Sequence, residues 1–360
     1  MDINIIKFIF EIDKTNIKME GEIPLYIIIR RENKMERNNL YSNEVYKTVN
    51  KESKLVLEDY ILELKAKGRA VKTIEQYVFD IKMFLCYAHE NINNKYILDM
   101  KKRDFRNFFL FMHETGKSSS RINRVQSSIR NMLEFCADDD EEYEDYQRNQ
   151  MKSIKSVEKS AVRDIVFLTD EQVTYLIDYL IEHNKIQKAL YVSLSYDSAA
   201  RRNEVIQVEK HGFLENSMTN KVTGKRGKQF NLMYMNRTRE IAKEHLRQRG
   251  EDDVDSLWVS YYNGEARPLT YETLYAWAVS FRSILENEYN EDIPLNPHSF
   301  RHTSLENYEN GSHFNLSDMG KDSLTIDELR MLANHEDISI TSSYLKDKDH
   351  EVLTSLFEIK

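Results

Sequence analysis

Apolar side chains recur at helical spacing in four successive segments between residues 53 and 136. In the first segment Leu57, Tyr60 and Leu64 lie three or four residues apart, and the run ends at Gly68. The other three segments are predicted to begin near Thr73 as an N-cap, to run from about Lys101 to Glu114, and to run from after Ser120 to Phe135. Four amphipathic helices with short connections predict one compact bundle, whose aromatic stripes are expected to form its core.

The composition excludes several other classes of protein. Four prolines and 10 glycines in 360 residues favour helices over a turn-rich all-β fold. No apolar run reaches the roughly 18 residues of a spanning helix, and the run from Ile5 to Phe10 is too short and too charged for a signal peptide. Cys86 and Cys136 are too few for a disulfide framework and are not spaced as a metal site. We therefore expect a cytoplasmic protein with no membrane partner.

The net charge of −9 argues against a polyanionic partner until its distribution is considered. Residues 51–136 carry 16 Lys and Arg against 11 Asp and Glu, whereas residues 137–150 carry one Arg against seven acids. Residues 1–50 are balanced at eight against eight, and residues 151–360 are acidic, at 26 against 34. Because nucleic-acid binding requires cations that neutralise phosphates, it fits this sequence only where the cations converge in one place.

These patterns divide the chain into four parts. Residues 1–50 contain β-branched runs around Gly21 and are predicted as an N-terminal extension of unknown role that includes a small hairpin. Residues 51–136 form the helical module, and residues 137–164 are expected to be an acidic and polar linker. Residues 165–360 form the second module.

The second module is predicted to be mostly helical. Thr169 has the features of an N-cap, with Gln172 three residues later as its capping-box partner. The exception is the segment from Asn220 to Met235, where two glycines between strand-compatible residues predict a β-hairpin. The expected fold class is therefore mainly α, with a small β-hairpin sheet in the second module.

The sharpest local motif is Pro297-His298-Ser299-Phe300-Arg301-His302. Pro297 is expected to start a helix, which places His298, Arg301 and His302 on one face. A zinc site at the two histidines would need a third ligand and usually an intervening Glu, and the Arg between them opposes a dication. The motif therefore does not favour metal binding.

Other fragments surround this helix in the sequence. They are Ala199-Ala200-Arg201-Arg202-Asn203-Glu204-Val205, Gly224-Lys225-Arg226-Gly227-Lys228, Asn334-His335, and Tyr344 nine residues after His335. Together and in this order they resemble the tyrosine recombinase (phage integrase) family over residues 165–360. The bundle also resembles that family's core-binding, SAM-like domain, through Thr73-Ile74-x-x-Tyr77 and Arg121-Ile122-Asn123-Arg124. The resemblance implies a recombinase that cuts and rejoins DNA at a specific site.

The resemblance implies catalytic roles for two cations, a nucleophile and an acid. Arg201 and Arg301 would clamp the scissile phosphate, since a planar guanidinium donates two bonds to one phosphate and keeps its charge. Tyr344 would attack phosphorus to give a 3′-phosphotyrosyl link. Lys225, on the hairpin, would protonate the leaving 5′-hydroxyl. Because bond energy is kept in the covalent link, neither ATP nor a metal cofactor is implied.

The same resemblance assigns two histidines. His298 would act in general acid–base catalysis and His335 would donate to a phosphate oxygen, tasks that suit a group titrating near neutrality. Glu204 is interpreted as a buried partner that orients its neighbours.

DNA contacts and assembly are implied in the same way. The predicted DNA-binding residues are Lys72, Thr73, Tyr77, Arg121, Asn123 and Arg124 in the bundle, and Lys228 on the hairpin. The implied partner is double-stranded DNA, bound by a homotetramer that exchanges C-terminal tails, with accessory proteins as a further class of partner. The apolar stripe of that tail, Val352 to Phe357, is equally compatible with an intramolecular cap.

Three features depart from the family pattern. Ala199-Ala200 stands where the family usually has Gly-Leu, and Asn334 stands where it usually has Gly, although Asn tolerates a left-handed backbone. The segment from Ser312 to Ser323 is longer and more polar than usual.

Two other functions are compatible with parts of this sequence. A DNA-binding regulator on the same fold, which no longer cuts, would use the cations only for phosphate contacts. Retention of Lys225, His335 and Tyr344 together favours the enzyme. A purely structural protein leaves this set of residues unexplained.

Overall fold

The computed structural model describes residues 40–158, 165–211 and 217–345. They belong to two compact units that divide between Val162 and Arg163. The hairpin predicted around Gly21 and the apolar stripe predicted after Tyr344 lie outside the described residues. None of the helices described is long and apolar enough to cross a membrane.

The first unit is a helical bundle, as predicted. Its helices are α1 (Asn43–Thr48), α2 (Lys51–Ala66), α3 (Val71–Asn91), α4 (Lys102–Glu114) and α5 (Ser119–Asp138), with a short 3-10 turn at Ile97–Asp99. The aromatic stripes do form its core: the Phe84 ring centroid lies 5.2 Å from that of Phe105 and 5.0 Å from that of Phe108, and all three side chains are fully buried. Packing therefore accounts for these rings.

The start of α3 differs from the prediction. Ala70 is the N-cap, and Thr73 lies inside the first turn, where its backbone N–H donates to the Ala70 carbonyl oxygen at 2.9 Å. The apolar stripe defines which face of a helix is buried but leaves its first residue uncertain by one or two positions.

The segment after α5 packs on the bundle. Although residues 137–164 are predicted as a linker, Tyr146, Met151 and Ile154 are buried in the first unit's core. Asn123 on α5 holds the end of this segment, since its amide accepts from the Val157 N–H and donates to the Val157 carbonyl oxygen, both at 2.8 Å. Isolated apolar residues in a polar stretch give no periodicity from which this packing could be predicted.

The second unit is mostly helical with two small antiparallel hairpins. Its helices are α6 (Asp170–Glu182), α7 (Ile186–Ser198), α8 (Arg202–Val205), α9 (Asn236–Arg249), α10 (Tyr271–Ser280), α11 (Arg282–Tyr289), α12 (Pro297–Glu309), α13 (Asn315–Met319), α14 (Ile326–Leu332) and α15 (Ile338–Ser342). Strands β1 (Met218–Thr223) and β2 (Gln229–Met233) form the predicted hairpin, and β3 (Val259–Tyr262) pairs with β4 (Glu265–Pro268). The capping box of Thr169 and Gln172 is present, with bonds of 3.0 and 3.1 Å.

Helix α7 runs through the centre of the second unit and packs on α6, α9 and α12. Its Tyr191 ring is surrounded edge-on by Trp258, Trp277 and Phe300, with centroids 6.0 to 6.1 Å away. Because α7 and α12 are fixed against each other in this core, the segment that follows α7 is fixed relative to the face of α12.

Candidate active site

Helix α12 begins as predicted and carries the first part of the site. Pro297 is its first residue, and the Asn296 side chain accepts a bond from the His298 N–H at 2.9 Å. The rings of His298 and His302 lie 5.0 Å apart, so the predicted common face exists. His298 is exposed, His302 is half-buried, and Arg301 between them is fully buried.

Arg301 is held by neutral acceptors. Its Nη1 donates to the Ala199 carbonyl oxygen at 2.5 Å, and its Nη2 donates to the Ala333 carbonyl oxygen at 2.7 Å. Nη2 also lies 2.5 Å from Nε2 of His335. Burial, followed by the nearby charge of Arg201, lowers the pKa of Arg301 to about 10, which leaves the guanidinium charged at neutral pH.

This buried cation has no carboxylate partner among the described residues. Within residues 40–158, 165–211 and 217–345, Arg301 forms no ion pair with a carboxylate, and its buried Nε has no hydrogen-bond partner. A buried charge without an opposite charge is costly, and so is a buried donor without an acceptor. The arrangement is therefore suited to an anion with oxygen acceptors.

His335 is neutral in this arrangement. A guanidinium has only donors, so Nε2 of His335 accepts from Arg301. Its Nδ1 then carries the proton and donates to Oγ1 of the buried Thr341 at 2.9 Å. Burial and the charges of Arg301 and Arg201 lower the pKa of His335 to about 3.

The Tyr344 ring lies among the three histidines. Its centroid is 4.5 Å from the ring of His302, 5.0 Å from that of His335 and 5.1 Å from that of His298. The Arg301 guanidinium carbon lies 5.0 Å from the same centroid. The predicted nucleophile thus lies beside the buried cation.

Arg201 is oriented by Glu204, as predicted for that acid. The buried Glu204 carboxylate accepts from the Arg201 backbone N–H at 2.7 Å and from its Nη1 at 3.1 Å. A Cβ at Gly224 would lie 3.3 Å from Glu204 Oε1 and 2.7 Å from Cε1 of Phe230. Glycine therefore allows the β1–β2 turn to approach Glu204.

The β1–β2 turn carries three cations. Lys225 and Lys228 are exposed on it. Arg226 pairs through Nη1 with the carboxylate of Glu336, the residue after His335. This ion pair places the turn next to the His335 segment, although both of its side chains are exposed.

The departures at Ala199 and Asn334 have a backbone explanation. Ala199 ends α7 with φ 49° and Asn334 follows α14 with φ 51°, both in the left-handed region where glycine is favoured. Ala199 supplies one carbonyl acceptor of Arg301, and Asn334 separates the other acceptor, Ala333, from His335. The two positions where the family usually has glycine therefore shape the surroundings of Arg301.

The first unit holds the other predicted DNA-binding residues. Arg124 lies on α5, 3.2 Å from the buried Asp80 on α3, and the Asn123 amide is bonded to the Val157 backbone. Their companions on these helices are Lys72, Thr73, Tyr77 and Arg121. DNA contact by any of them stays a prediction.

Sequence reasoning missed several parts of the site. Thr341 and Glu336 carry no motif signal, and Arg226 lies in a motif fragment that assigned it no role. The contacts of all three depend on the β1–β2 turn and α15 meeting around His335. His302 was placed on the correct face, but its bond to the Tyr344 backbone could not be foreseen.

The chain matches two family models. The model of the phage integrase family matches residues 166–351, and that of the phage integrase N-terminal SAM-like domain matches residues 57–139. Among relatives, an SPbeta prophage-derived recombinase-like protein, YomM of Bacillus subtilis (strain 168), is 26% identical over 86% of this chain and 92% of its own length. A tyrosine recombinase of Thermosipho africanus (strain TCF52B) is 21% identical over 82% and 95%.

Solved structures share the fold. A lambda integrase tetramer bound to a Holliday junction superposes with a TM-score of 0.62 at 13% identity, covering 93% of this chain and 89% of that one. The XerH site-specific recombinase gives 0.60 at 16% identity, covering 92% and 94%. The family model that matches more than half of the chain establishes that it belongs to the phage integrase family of tyrosine recombinases.

Proposed function

We propose that this chain is a site-specific recombinase or integrase that cuts and rejoins DNA through a 3′-phosphotyrosyl intermediate. One observation carries the proposal: the buried cation of Arg301, which forms no ion pair with any described residue, lies 5.0 Å from the ring of Tyr344. A phosphodiester supplies the anion that Arg301 lacks, and its phosphorus is an electrophile for a phenolic oxygen.

The reaction balances without a cofactor or ATP. The Tyr344 oxygen attacks phosphorus, the bond from phosphorus to the 5′ oxygen breaks, and Lys225 protonates that oxygen. The phenolic proton passes to His298, whose pKa is lowered by partial burial and by the neighbouring His302 and Arg301, so that its ring is neutral and able to accept. A 5′-hydroxyl of the partner strand then reverses these steps and releases Tyr344.

The two arginines are proposed to bind the same phosphate, but they differ in burial and in their hydrogen-bond partners. Arg301 is buried, and its Nε has no hydrogen-bond partner in the part of the chain that the structure describes, whereas Arg201 is partly exposed and is held by Glu204. Both would bind non-bridging oxygens of the scissile phosphate, where charge increases in the transition state. Their effect is therefore expected mainly on the rate of cleavage rather than on DNA affinity.

The proposed partner is double-stranded DNA at a specific site, bound by a homotetramer. The excess of cations in residues 51–136 and the lysines of the β1–β2 turn would contact phosphates. DNA complexes of lambda integrase and of the Tn1549 transposon integrase have this fold, and YomM is a prophage-derived protein. We further propose that the protein derives from a phage or mobile element and acts on DNA in the cytoplasm. Accessory proteins are a further proposed class of partner.

A nicked duplex tests the proposal. The site is first selected from a random duplex library with the Tyr344→Phe protein and is then nicked beside the cleavage position, so that the leaving strand diffuses away. The wild-type protein should accumulate an SDS-resistant adduct that Tyr344→Phe cannot form. Tyr262→Phe, an exposed tyrosine on β3, should form it normally. Arg301→Ala should abolish the adduct with little change in duplex affinity.

The alternative function is a DNA-binding regulator on the same fold that no longer cuts DNA. Tight site-specific binding without any adduct would contradict the proposed chemistry, as would equal loss of binding and cleavage in Arg301→Ala. Persistence of the adduct in Tyr344→Phe would assign the nucleophile elsewhere.

A further inference from the structure

We propose that His302 is a positioning residue that fixes the nucleophile Tyr344 relative to Arg301. This inference rests on the proposed function and extends it to a side chain outside the proposed catalytic set. It rests on two contacts that the His302 imidazole makes with Tyr344, one to its backbone and one to its ring.

The first contact is a hydrogen bond to the backbone of Tyr344. Nδ1 of His302 lies 3.0 Å from the Tyr344 carbonyl oxygen. A carbonyl oxygen only accepts, so Nδ1 carries the proton and donates. Burial lowers the pKa of His302, which agrees with a neutral ring protonated at that nitrogen.

The second contact is with the Tyr344 side chain. The two rings stack with centroids 4.5 Å apart and planes 28° apart. The His302 ring is itself held by the edge of Phe167, 5.7 Å away, and by the ring of His298, 5.0 Å away. His302 thus restrains both the backbone and the phenol of the nucleophile.

His302 lies on α12 directly after Arg301, so its contacts fix Tyr344 relative to that arginine. His302 follows Arg301, whose guanidinium carbon lies 5.0 Å from the Tyr344 ring. The helix that carries the proposed phosphate ligand therefore also holds the attacking residue. Misplacement of reacting atoms by about 1 Å can cost about 100-fold in rate, so loss of this restraint should slow attack without removing any catalytic group.

Three substitutions at His302 distinguish the effect of its Nδ1 hydrogen-bond donor from the effect of its side-chain volume. Asn places an amide nitrogen close to the position of Nδ1 and can still donate to the Tyr344 carbonyl oxygen. Gln is polar and similar in size, but it places its amide near the position of Nε2 instead. Leu fills the space without a donor. His302→Asn and His302→Gln carry the same amide group, and the methylene that separates them decides whether it reaches the Tyr344 carbonyl oxygen.

The chain offers a matched control at the C-terminal end of α6, where His183 is the C-cap. Nδ1 of His183 lies 2.7 Å from the Tyr179 carbonyl oxygen, and the two rings stack at 3.9 Å. This is the same kind of contact outside the site. His183→Leu should leave cleavage within about twofold of wild type, since exposed substitutions away from a site have small effects.

The experiment is single-turnover adduct formation on the nicked duplex over a range of protein concentrations. His302→Leu and His302→Gln should lower the saturated rate by about 10- to 100-fold while the half-saturating concentration stays constant. His302→Asn should stay within about threefold of wild type, because the amide restores the donor. Urea unfolding followed by tryptophan fluorescence checks the fold of each variant, since Trp258 and Trp277 both belong to the second unit.

Several results would overturn the inference. One is an unchanged rate in folded His302→Gln, and another is a loss of rate in His302→Asn as large as that in His302→Gln. A faster rate in either variant would also overturn it, because the contact would then hold Tyr344 back from attack. These outcomes differ from failure of the proposed function, in which wild type and His183→Leu also form no adduct.

Discussion

Nη2 of Arg301 lies 2.5 Å from Nε2 of His335, so the histidine accepts a bond from the arginine. His335 is therefore neutral, with its proton on the nitrogen that faces Thr341. An arriving phosphate oxygen that replaces His335 as acceptor for Arg301 leaves Nε2 free. His335 can then donate to that oxygen, as predicted from the sequence, only after Nε2 gains a proton.

Thr341→Val tests this assignment. Valine matches threonine in shape but leaves the buried Nδ1–H of His335 without an acceptor, at a cost of about 1–3 kcal/mol. Arg301 still favours the proton on Nδ1, but the bond that orients the ring is lost, so we expect adduct formation on the nicked duplex to slow about 10-fold. The urea midpoint of the second unit, read from tryptophan fluorescence, should fall as well.

Thr341→Ser is the matched control, because it keeps the hydroxyl. It should retain nearly all of the cleavage rate. If valine and serine behave alike in rate and in midpoint, the Thr341 hydroxyl does not determine the state of His335.

Helical periodicity predicted most of the fold. The bundle core, the Thr169 capping box, the start of α12 at Pro297 and the β1–β2 hairpin each follow from local spacing or from a capping residue, and all are present. The packing of Tyr146 and Met151 on the bundle was missed, because it depends on side chains brought together from distant parts of the unit.

The candidate site was predictable in its residue types but not in its connections. Order along the chain indicated Arg301, His335 and Tyr344, and the structure brings them together. The left-handed backbone of Ala199 could not be predicted, because alanine is not favoured there. Its carbonyl nonetheless supports Arg301, so tertiary contacts must compensate for the local strain.

Lys225→Ala should show whether this lysine is the acid. Without a proton donor the leaving 5′ oxygen departs as an unstable alkoxide, and general acid catalysis contributes about 100- to 10,000-fold, so cleavage should fall by that order. A substrate with sulfur in place of the 5′ bridging oxygen needs no acid, since a thiol has a pKa of about 8.5. Lys225→Ala should cleave that substrate at nearly the wild-type rate, measured by adduct formation.

Lys221→Ala is the control for the lysine experiment, because Lys221 is exposed on β1 of the same hairpin. It should behave as wild type on both substrates. A Lys225→Ala protein equally slow on the oxygen and the sulfur substrate would place Lys225 in positioning or phosphate binding instead.

His313→Phe should reduce the acid sensitivity of the second unit. The buried His313 ring is sandwiched between Tyr196 and Tyr308, with centroids 3.9 and 3.7 Å away, and burial lowers its pKa to about 3. From pH 7 to pH 5 the unfolded chain, with a pKa of about 6.5, gains a proton that the folded protein does not bind. Acidification over this range therefore removes about 2 kcal/mol of stability through His313 alone.

Phenylalanine keeps the aromatic stack and cannot titrate. His313→Phe loses the contacts of both ring nitrogens, with the Tyr196 carbonyl oxygen and the Asn315 N–H, so its stability at pH 7 should be lower. The decisive quantity is the change in urea midpoint between pH 7 and pH 5, measured by tryptophan fluorescence. Two other groups also change stability over this pH range. On acidification His335, with its pKa lowered to about 3, lowers stability, whereas Asp197, whose burial raises its pKa to about 6, increases it. Both groups are present in wild type and variant, so the comparison isolates His313. A variant that loses as much stability as wild type on acidification would mean that His313 is already protonated in the folded state at pH 5.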